Sequence, residues 1–339
     1  MGVVGAGAVG GALAALLARG GHDVAVAARG ETLAAIRADG ILLSGKWGEY
    51  RAAVACGPLL AIAPDLAIVA TKAADAMAAA ADNARFLTGI PVAVVQNGLD
   101  AIDGTRRVIP DSTLIGGLAV FAASLIAPGQ MMITTAGPIY LGIEKGDRER
   151  RDRDRGNTDA AGLELAASIL GAVLPVVTVA DFRAAQWTKL VVNQVNALPA
   201  ITGWSAQRVI GDRRLRYAMT TSMQETVRIG HASGIRFASL QGLADRTLRL
   251  FAAIPAGLGQ ALPALMSARM GSVPNPGSTL QSVRRGQLTE IDALNGAVVR
   301  AAAAAGVSAP VNAALTAMVH EVERTGRFLT VDEIVARLG

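Results

Sequence analysis

The chain is poor in the residues that several function classes require. Cys56 is the only cysteine, so no intramolecular disulfide can form, and the expectation is a reducing, cytoplasmic setting. The three histidines, His22, His231 and His320, lack metal-site spacing, and no cysteine cluster accompanies them, so no metal centre is expected. Aromatic residues make up 4% of the chain, too few for the stacking platforms that grip single-stranded nucleic acid. The net charge of +5 is spread among acids rather than gathered in a basic stripe, and no nucleic-acid-reading motif is present. No apolar run is long enough to imply a membrane span, and the glycine-rich start does not read as a signal peptide.

What is abundant is apolar surface: hydrophobic residues form 52% of 339 residues, enough for a large core and for two domains. The opening "GVVGAGAVGGALAALLARGGHDVAVAAR" reads as strand, glycine turn, helix and second strand. Gly5, Gly7 and Gly10 have G-x-G-x-x-G spacing at the strand-to-helix turn. That context turns a weak motif into a dinucleotide site over Gly5, Ala6, Gly7, Ala8, Val9 and Gly10, with a pyrophosphate on the helix N-terminus. Only four residues precede Gly5, so the start is trimmed or misassigned, or the first strand is short. NAD enzymes place an acid after the second strand. Here Arg29 stands there, and a guanidinium suits the 2′-phosphate of NADPH.

"PDLAIVATKA" and "IPVAVVQNGLD" read as further buried strands, with a helix over roughly 74–87 between them. Such alternation predicts a parallel, doubly wound sheet. "TLIGGLAVFAAS" and "QMMITTAGPIYLGIE" read as strands with Gly137-Pro138 turning a hairpin. The stretch 145–159 holds six basic and five acidic residues and reads as a solvated loop, before a helix near 160–172 and the strand "PVVTV". Beyond it helical patterns dominate. The fold class is therefore α/β then all-α: a Rossmann-type domain over 1–180 and a helical domain over 181–339.

The run "KLVVNQVNALPAITG" sets Lys189, Asn193 and Asn196 at i, i+4 and i+7, on one face of a helix that is otherwise apolar. Buried amides and a buried ammonium need partners. Those partners are either neighbouring backbone and an acid, or a ligand. A second polar island, "NPGSTLQSVRRGQLTEIDALNG" at 275–296, offers Ser278 as a helix cap after a Pro-Gly turn, and Glu290 on a mostly buried helix.

Taken in order, "GAGAVGG" at 5–11, Arg29, "TKA" at 71–73, "QNGL" at 96–99, "WTKLVVN" at 187–193, "NPGSTLQ" at 275–281 and "GQLTEIDALNG" at 286–296 resemble the ketopantoate reductase (2-dehydropantoate 2-reductase) family. The resemblance runs over essentially the whole chain. It implies a Rossmann domain followed by a helical one, with the active site in the cleft between. It implies an NADP-dependent oxidoreductase of pantothenate biosynthesis that reduces a small 2-keto acid with NADPH. By the same resemblance, Lys189 matches the catalytic proton donor and Glu290 the glutamate that helps hold substrate. Asn193, Asn275 and Ser278 match substrate contacts. Lys72 and Asn97 match residues at strand ends near nicotinamide and substrate, and Arg29 the residue that favours NADPH.

The family often has a second asparagine eight residues beyond the lysine. Here Asn196 lies seven beyond, Ala197 stands at eight, and Ser282 replaces an aspartate common in the family. These departures leave a different 2-keto acid, or an imine, as an alternative substrate. An NADPH-binding sensor without turnover is a further alternative, although it would need neither Lys189, Asn193 nor Glu290. The oligomeric state is left open, a homodimer being one form the sequence allows.

Overall fold

A computed structural model describes residues 1–144, 153–270 and 274–339. The chain divides into two compact units, Met1–Arg183 and Ala184–Gly339.

The first unit is built on twelve strands and six helices among the described residues. The strands are β1 (Gly2–Val4), β2 (Ala25–Ala27), β3 (Ile41–Gly45), β4 (Tyr50–Ala52), β5 (Ala55–Gly57), β6 (Ala67–Val69), β7 (Pro91–Val95), β8 (Thr113–Ala119), β9 (Ala122–Ala127), β10 (Gln130–Thr135), β11 (Ile139–Gly142) and β12 (Val176–Val179). The helices are α1 (Ala8–Arg19), α2 (Gly30–Asp39), α3 (Ala73–Asp82), α4 (Ala84–Leu87), α5 (Ala101–Val108) and α6 (Arg153–Gly171).

Eight strands form one sheet in the order β12-β11-β8-β7-β6-β1-β2-β5. The central strands β1 and β6 are short runs of Val, Ala, Ile and Gly, buried on both faces as parallel strands covered by helices must be. The sheet is not wholly parallel: β11 runs antiparallel to β8 while pairing parallel with β12. Strands β4-β3-β10-β9 form a second sheet. Helix α1 contacts β1 of the first sheet and all four strands of the second, which explains why Gly10 through Leu17 are buried all round rather than on one stripe. A Cβ on Gly11 would fall 2.0 Å from the terminal methyl of Met131 on β10, so this glycine lets helix and second sheet meet.

Three local expectations change. The hairpin in the 113–143 region joins β9 to β10 through Pro128-Gly129, while Gly137-Pro138 carries the chain from the second sheet back to the first. Gly129 has φ +74°, which suits a glycine turn. The helix expected over 74–87 breaks at Asn83, whose side chain donates to Ala79 O (2.9 Å) and accepts from Leu60 N (2.9 Å). Of the charged stretch 145–159, residues 145–152 lie outside the described residues, and from Arg153 the chain is already helical. Asp159, on that helix, is 4% exposed and not solvated.

The second unit is helical. It contains α7 (Phe182–Asn193, from its third residue on), a three-residue 3₁₀ segment (Gln194–Asn196), α8 (Ala197–Thr202), α9 (Ala206–Gly211), α10 (Arg213–Ala232), α11 (Asp245–Ala253), α12 (Ala256–Gly259), α13 (Ala261–Met270), α14 (Gly277–Arg284), α15 (Asn295–Ala304), α16 (Pro310–Thr325) and α17 (Val331–Leu338). The 20-residue α10 is its axis, contacting α9, α11, α15, α16 and α17. Asp212 caps it through Arg214 N and Leu215 N. No helix among the described residues is long and apolar enough to cross a membrane.

Candidate active site

The glycine turn after β1 has the geometry its spacing predicts. Gly5 has φ +99°, and a Cβ there would lie 2.9 Å from Thr71 N. A Cβ on Gly10 would sit 2.0 Å from Gly5 O, so α1 and the turn can approach only if this residue is glycine. Gly7, the N-cap residue of α1, has open space where a Cβ would be, and no side chain caps the helix. The first turn of α1 contains no acid. Its amide groups and the positive end of its dipole are thus presented to an anion.

Neighbouring strands bring their ends to the same edge. Lys72 is the N-cap residue of α3, just beyond β6, and Asn97 follows β7 one residue after the buried Gln96. Gln96 Nε2 donates to Thr71 Oγ1 at 3.2 Å, tying the segments that carry Lys72 and Asn97. Gln96 Oε1 is buried with no hydrogen-bond partner among the described residues, an acceptor that a bound donor could satisfy. Arg29 leads into α2 beyond β2 with a largely exposed side chain, and it is paired with Asp82 at the end of α3.

In the helical unit, α7 carries Lys189 and Asn193. It ends at Asn193, and the chain tightens into the 3₁₀ segment 194–196 ahead of Pro199, whose nitrogen has no hydrogen to give the Val195 carbonyl. Asn196 therefore does not continue the α-helical line of Lys189 and Asn193. Its Nδ2 turns back to donate to Asn193 O at 3.1 Å. Trp187 and Leu190, flanking Lys189, are buried to within 1%. This apolar setting pushes the Lys189 ammonium down from 10.5 to about 8, an effect partly offset by the negative charge of Glu290.

Glu290 is not on a helix. It lies in the turn leading to α15, where its carbonyl accepts from Ala293 N (2.9 Å) and Leu294 N (3.1 Å). The outer side of this turn is held by Glu323, which accepts from Thr289 N at 2.7 Å and pairs with His320. His320 also meets Asp292.

The second polar island meets the first at Asn196. Gly277 has φ +71°, and a Cβ there would lie 2.6 Å from Asn196 Oδ1. Asn275 folds over the same corner: its Oδ1 accepts from Gly277 N (2.9 Å) and its carbonyl from Ala206 N (2.7 Å). Ser278 does not cap α14, whose N-cap residue is Pro276; it sits exposed within the first turn. Asn196, Asn275 and the start of α14 thus converge. A separate groove lined by Arg213, Tyr217, Gln260 and Leu338 includes none of these residues.

Two family models match the chain: "Ketopantoate reductase PanE/ApbA" over residues 1–146 and "Ketopantoate reductase PanE/ApbA C terminal" over residues 181–323. The chain belongs to the ketopantoate reductase family. A relative from Halobacterium salinarum, named 2-dehydropantoate 2-reductase, is 27% identical over 335 residues, covering 96% of this chain and 99% of its own. A PanE/ApbA family ketopantoate reductase from Ralstonia eutropha JMP134 has a similar structure, with TM-score 0.74 and 27% identity over 96% of this chain and 99% of the other. D-mandelate dehydrogenase in complex with NADH and anilino(oxo)acetate has the same fold at TM-score 0.74 and 20% identity, covering 96% and 99% of the two chains. Both family models carry the description of a reductase, and the Ralstonia eutropha relative shares the fold over nearly the whole chain.

Sequence reasoning passed over a polar cluster behind the lysine helix. Gln194, Ser222, Glu225, Asn295 and Asn312 are all buried and mutually hydrogen-bonded. A signal was present: Gln194 lies inside the apolar run, and Asn295 inside the second polar island.

Proposed function

We propose that the protein is an NADPH-dependent reductase of a 2-keto acid, with 2-dehydropantoate as the first candidate and pantoate as its product in pantothenate biosynthesis. The observation that carries the reading is Lys189: an ammonium shifted to about 8 by apolar burial, with the carboxylate of Glu290 acting on it, in a chain of the ketopantoate reductase family. A general acid works best with a pKa near the working pH, and this lysine meets that requirement.

The glycine turn fits a dinucleotide. Gly7 leaves backbone open to a pyrophosphate, and the uncapped N-terminus of α1 offers it amide donors. Arg29, exposed beyond β2, suits a 2′-phosphate, and Lys72 and Asn97 at the strand ends suit the nicotinamide half. The cofactor, when bound, supplies the hydride that reduces the keto carbon. The chain's own part is to hold the substrate and manage the oxygen. Lys189 stabilises negative charge growing on the carbonyl oxygen and gives it a proton from Nζ. Asn193 orients the oxygen, Glu290 holds the substrate hydroxyl, and Asn196, Asn275 and Ser278 take the carboxylate end. The three amides and the hydroxyl are directional donors, whereas Lys189 provides the only transferable proton among them.

The test is NADPH oxidation with 2-dehydropantoate by the wild type and by Lys189→Ala. The reading expects loss of turnover with NADPH affinity retained, and it fails if Lys189→Ala turns over at near-wild-type rate. A second reading, the same reaction on another 2-keto acid, is favoured by Asn196 standing against Gly277 while Ala197 is apolar and fully buried. A panel of 2-keto acids of increasing side-chain bulk separates the two by kcat/KM.

A further inference from the structure

The buried polar cluster of the helical unit joins the two segments that carry Lys189 and Glu290. Gln194 Oε1 accepts from Asn295 Nδ2 at 2.7 Å and from Ser222 Oγ at 2.8 Å. Gln194 Nε2 donates to Leu190 O at 3.1 Å, the carbonyl of the residue next to Lys189. One side chain thus grips the last turn of α7, where the ladder passes from α to 3₁₀ and is least secured by its own backbone.

Asn295, the other partner, is the first residue of α15. It is five residues from Glu290, and the intervening turn is tightly wound: Leu294 N donates to Glu290 O (3.1 Å) and Gly296 N to Ile291 O (3.0 Å). Fixing Asn295 therefore fixes the backbone from which Glu290 projects.

The far side is equally anchored. Asn295 Nδ2 also donates to Asn312 Oδ1 (3.0 Å), and Asn312 Nδ2 donates to Glu225 Oε2 (2.8 Å). Glu225 accepts from Val311 N and Asn312 N, both at 3.0 Å, closing the N-terminus of α16. Gln194, Ser222, Asn295 and Asn312 are each 0% exposed and Glu225 6%. An apolar core would satisfy packing at lower risk, because every buried polar group must find a partner. Such a network specifies one arrangement of helices rather than adding bulk stability.

We propose that Gln194 and Asn295 form a positioning pair that sets where Glu290 stands relative to Lys189. This rests on the reading that Lys189 is the proton donor. Neither residue touches substrate in this account; both act through the two that do.

The test uses the whole chain of both units with Gln194→Met, Asn295→Ser and the double variant. Met keeps the length of Gln without its hydrogen bonds, and Ser shortens Asn past reach of Gln194. Steady-state kcat, the NADPH dissociation constant, the pH at which kcat/KM falls on the alkaline side, and the melting temperature are measured. The expected result is a kcat loss on the order of tenfold in each single variant, since one misplaced group costs roughly that much or more. The alkaline limb moves to lower pH as Glu290 loses its hold on the ammonium, NADPH affinity stays unchanged, and the double variant is no worse than the poorer single one.

A lower melting temperature with kcat and the alkaline limb unchanged would overturn the proposal, leaving a purely structural network. Additive kcat losses in the double variant would overturn the pairing. Should either variant fail to fold, Ser222→Ala removes one of the two donors to Gln194 Oε1, and an unmoved alkaline limb there overturns the proposal equally. Lys189→Ala separates the two layers. Full activity in that variant defeats the functional reading itself, whereas an inactive Lys189→Ala beside unaltered Gln194 and Asn295 variants defeats only the positioning pair.

Discussion

Replacing Lys189 by methionine should cost the enzyme its turnover and make the protein more stable. The lysine stands among Trp187, Leu190 and Val191, each 1% exposed, and this burial lowers its pKa from 10.5 to about 8. A gap of that size, at about 1.4 kcal/mol for each tenfold, corresponds to about 3 kcal/mol of penalty for holding the charged form. The sign follows from proton counting. Below about pH 8 the lysine is protonated in both folded and unfolded chains, and the folded state bears the full penalty. Between about 8 and 10.5 the folded chain sheds its proton while the unfolded chain keeps it, so wild-type stability rises with pH over that window. Methionine has a similar length and no charge. Lys189→Met should therefore exceed the wild type by up to about 3 kcal/mol near pH 7, with the advantage shrinking as pH approaches 10.5. Urea unfolding at several pH values, with m-values compared, measures this directly. A variant less stable than the wild type by the same amount at every pH would refute the argument, since it would mean that the ammonium is held by its partners at no net cost.

Other outcomes follow from the same geometry. Glu290→Gln removes the charge that supports the Lys189 ammonium, so the alkaline limb of kcat/KM for reduction should move below about pH 8; a limb that stays in place contradicts the pairing. Gly10→Ala would put a methyl 2.0 Å from Gly5 O, and the overpacking should cost about 1–3 kcal/mol in unfolding and weaken dinucleotide binding measured by fluorescence titration. Asp82→Asn frees Arg29 from its surface partner. The NADPH dissociation constant should tighten a few-fold and that of NADH should not, the pair being exposed and worth at most about 1 kcal/mol. His320, between Asp292 and Glu323, has a pKa raised above 6.5 by its hydrogen bonds to those two carboxylates, against the opposing pull of burial. Its contribution to stability is complete below about pH 6.5 and lost as pH rises through the raised value, so His320→Gln should flatten the pH dependence of unfolding in that range.

The glycine turn after β1 was readable from sequence because glycine spacing is a steric code: a Cβ on Gly10 would lie 2.0 Å from Gly5 O, and no side chain could substitute. Burial of β1, β6 and β7 was readable from their uninterrupted apolar runs. Strand direction was not, because β11 turns antiparallel through a tertiary pairing with β8 that leaves no mark in its own composition. In the helical unit, Lys189 and Asn193 were legible from a period of four residues. The break after Asn193 was not, since the nearest helix-breaking residue, Pro199, lies six residues downstream inside the next helix. The same break moves Asn196 off the helical line and onto Gly277, a contact between segments about eighty residues apart in the sequence. Glu290 was legible as a half-buried acid but not as a turn residue, because the helix period of Ile291, Leu294 and Val298 extends falsely backward to a highly exposed Leu288. The cluster around Gln194 eluded sequence reading for a related reason: five polar residues scattered over more than a hundred positions look individually like surface.

The central claim is that Lys189 donates the proton in an NADPH-dependent reduction of a 2-keto acid. Single-turnover oxidation of bound NADPH by 2-dehydropantoate, followed in the wild type and in Lys189→Ala after NADPH binding is matched by titration, tests it most directly. The account predicts rapid oxidation in the wild type and a loss of at least a hundredfold, roughly the worth of a positioned general acid, in the variant. Equal rates in the two proteins, or NADPH bound by the wild type and never consumed across a panel of 2-keto acids, would contradict it.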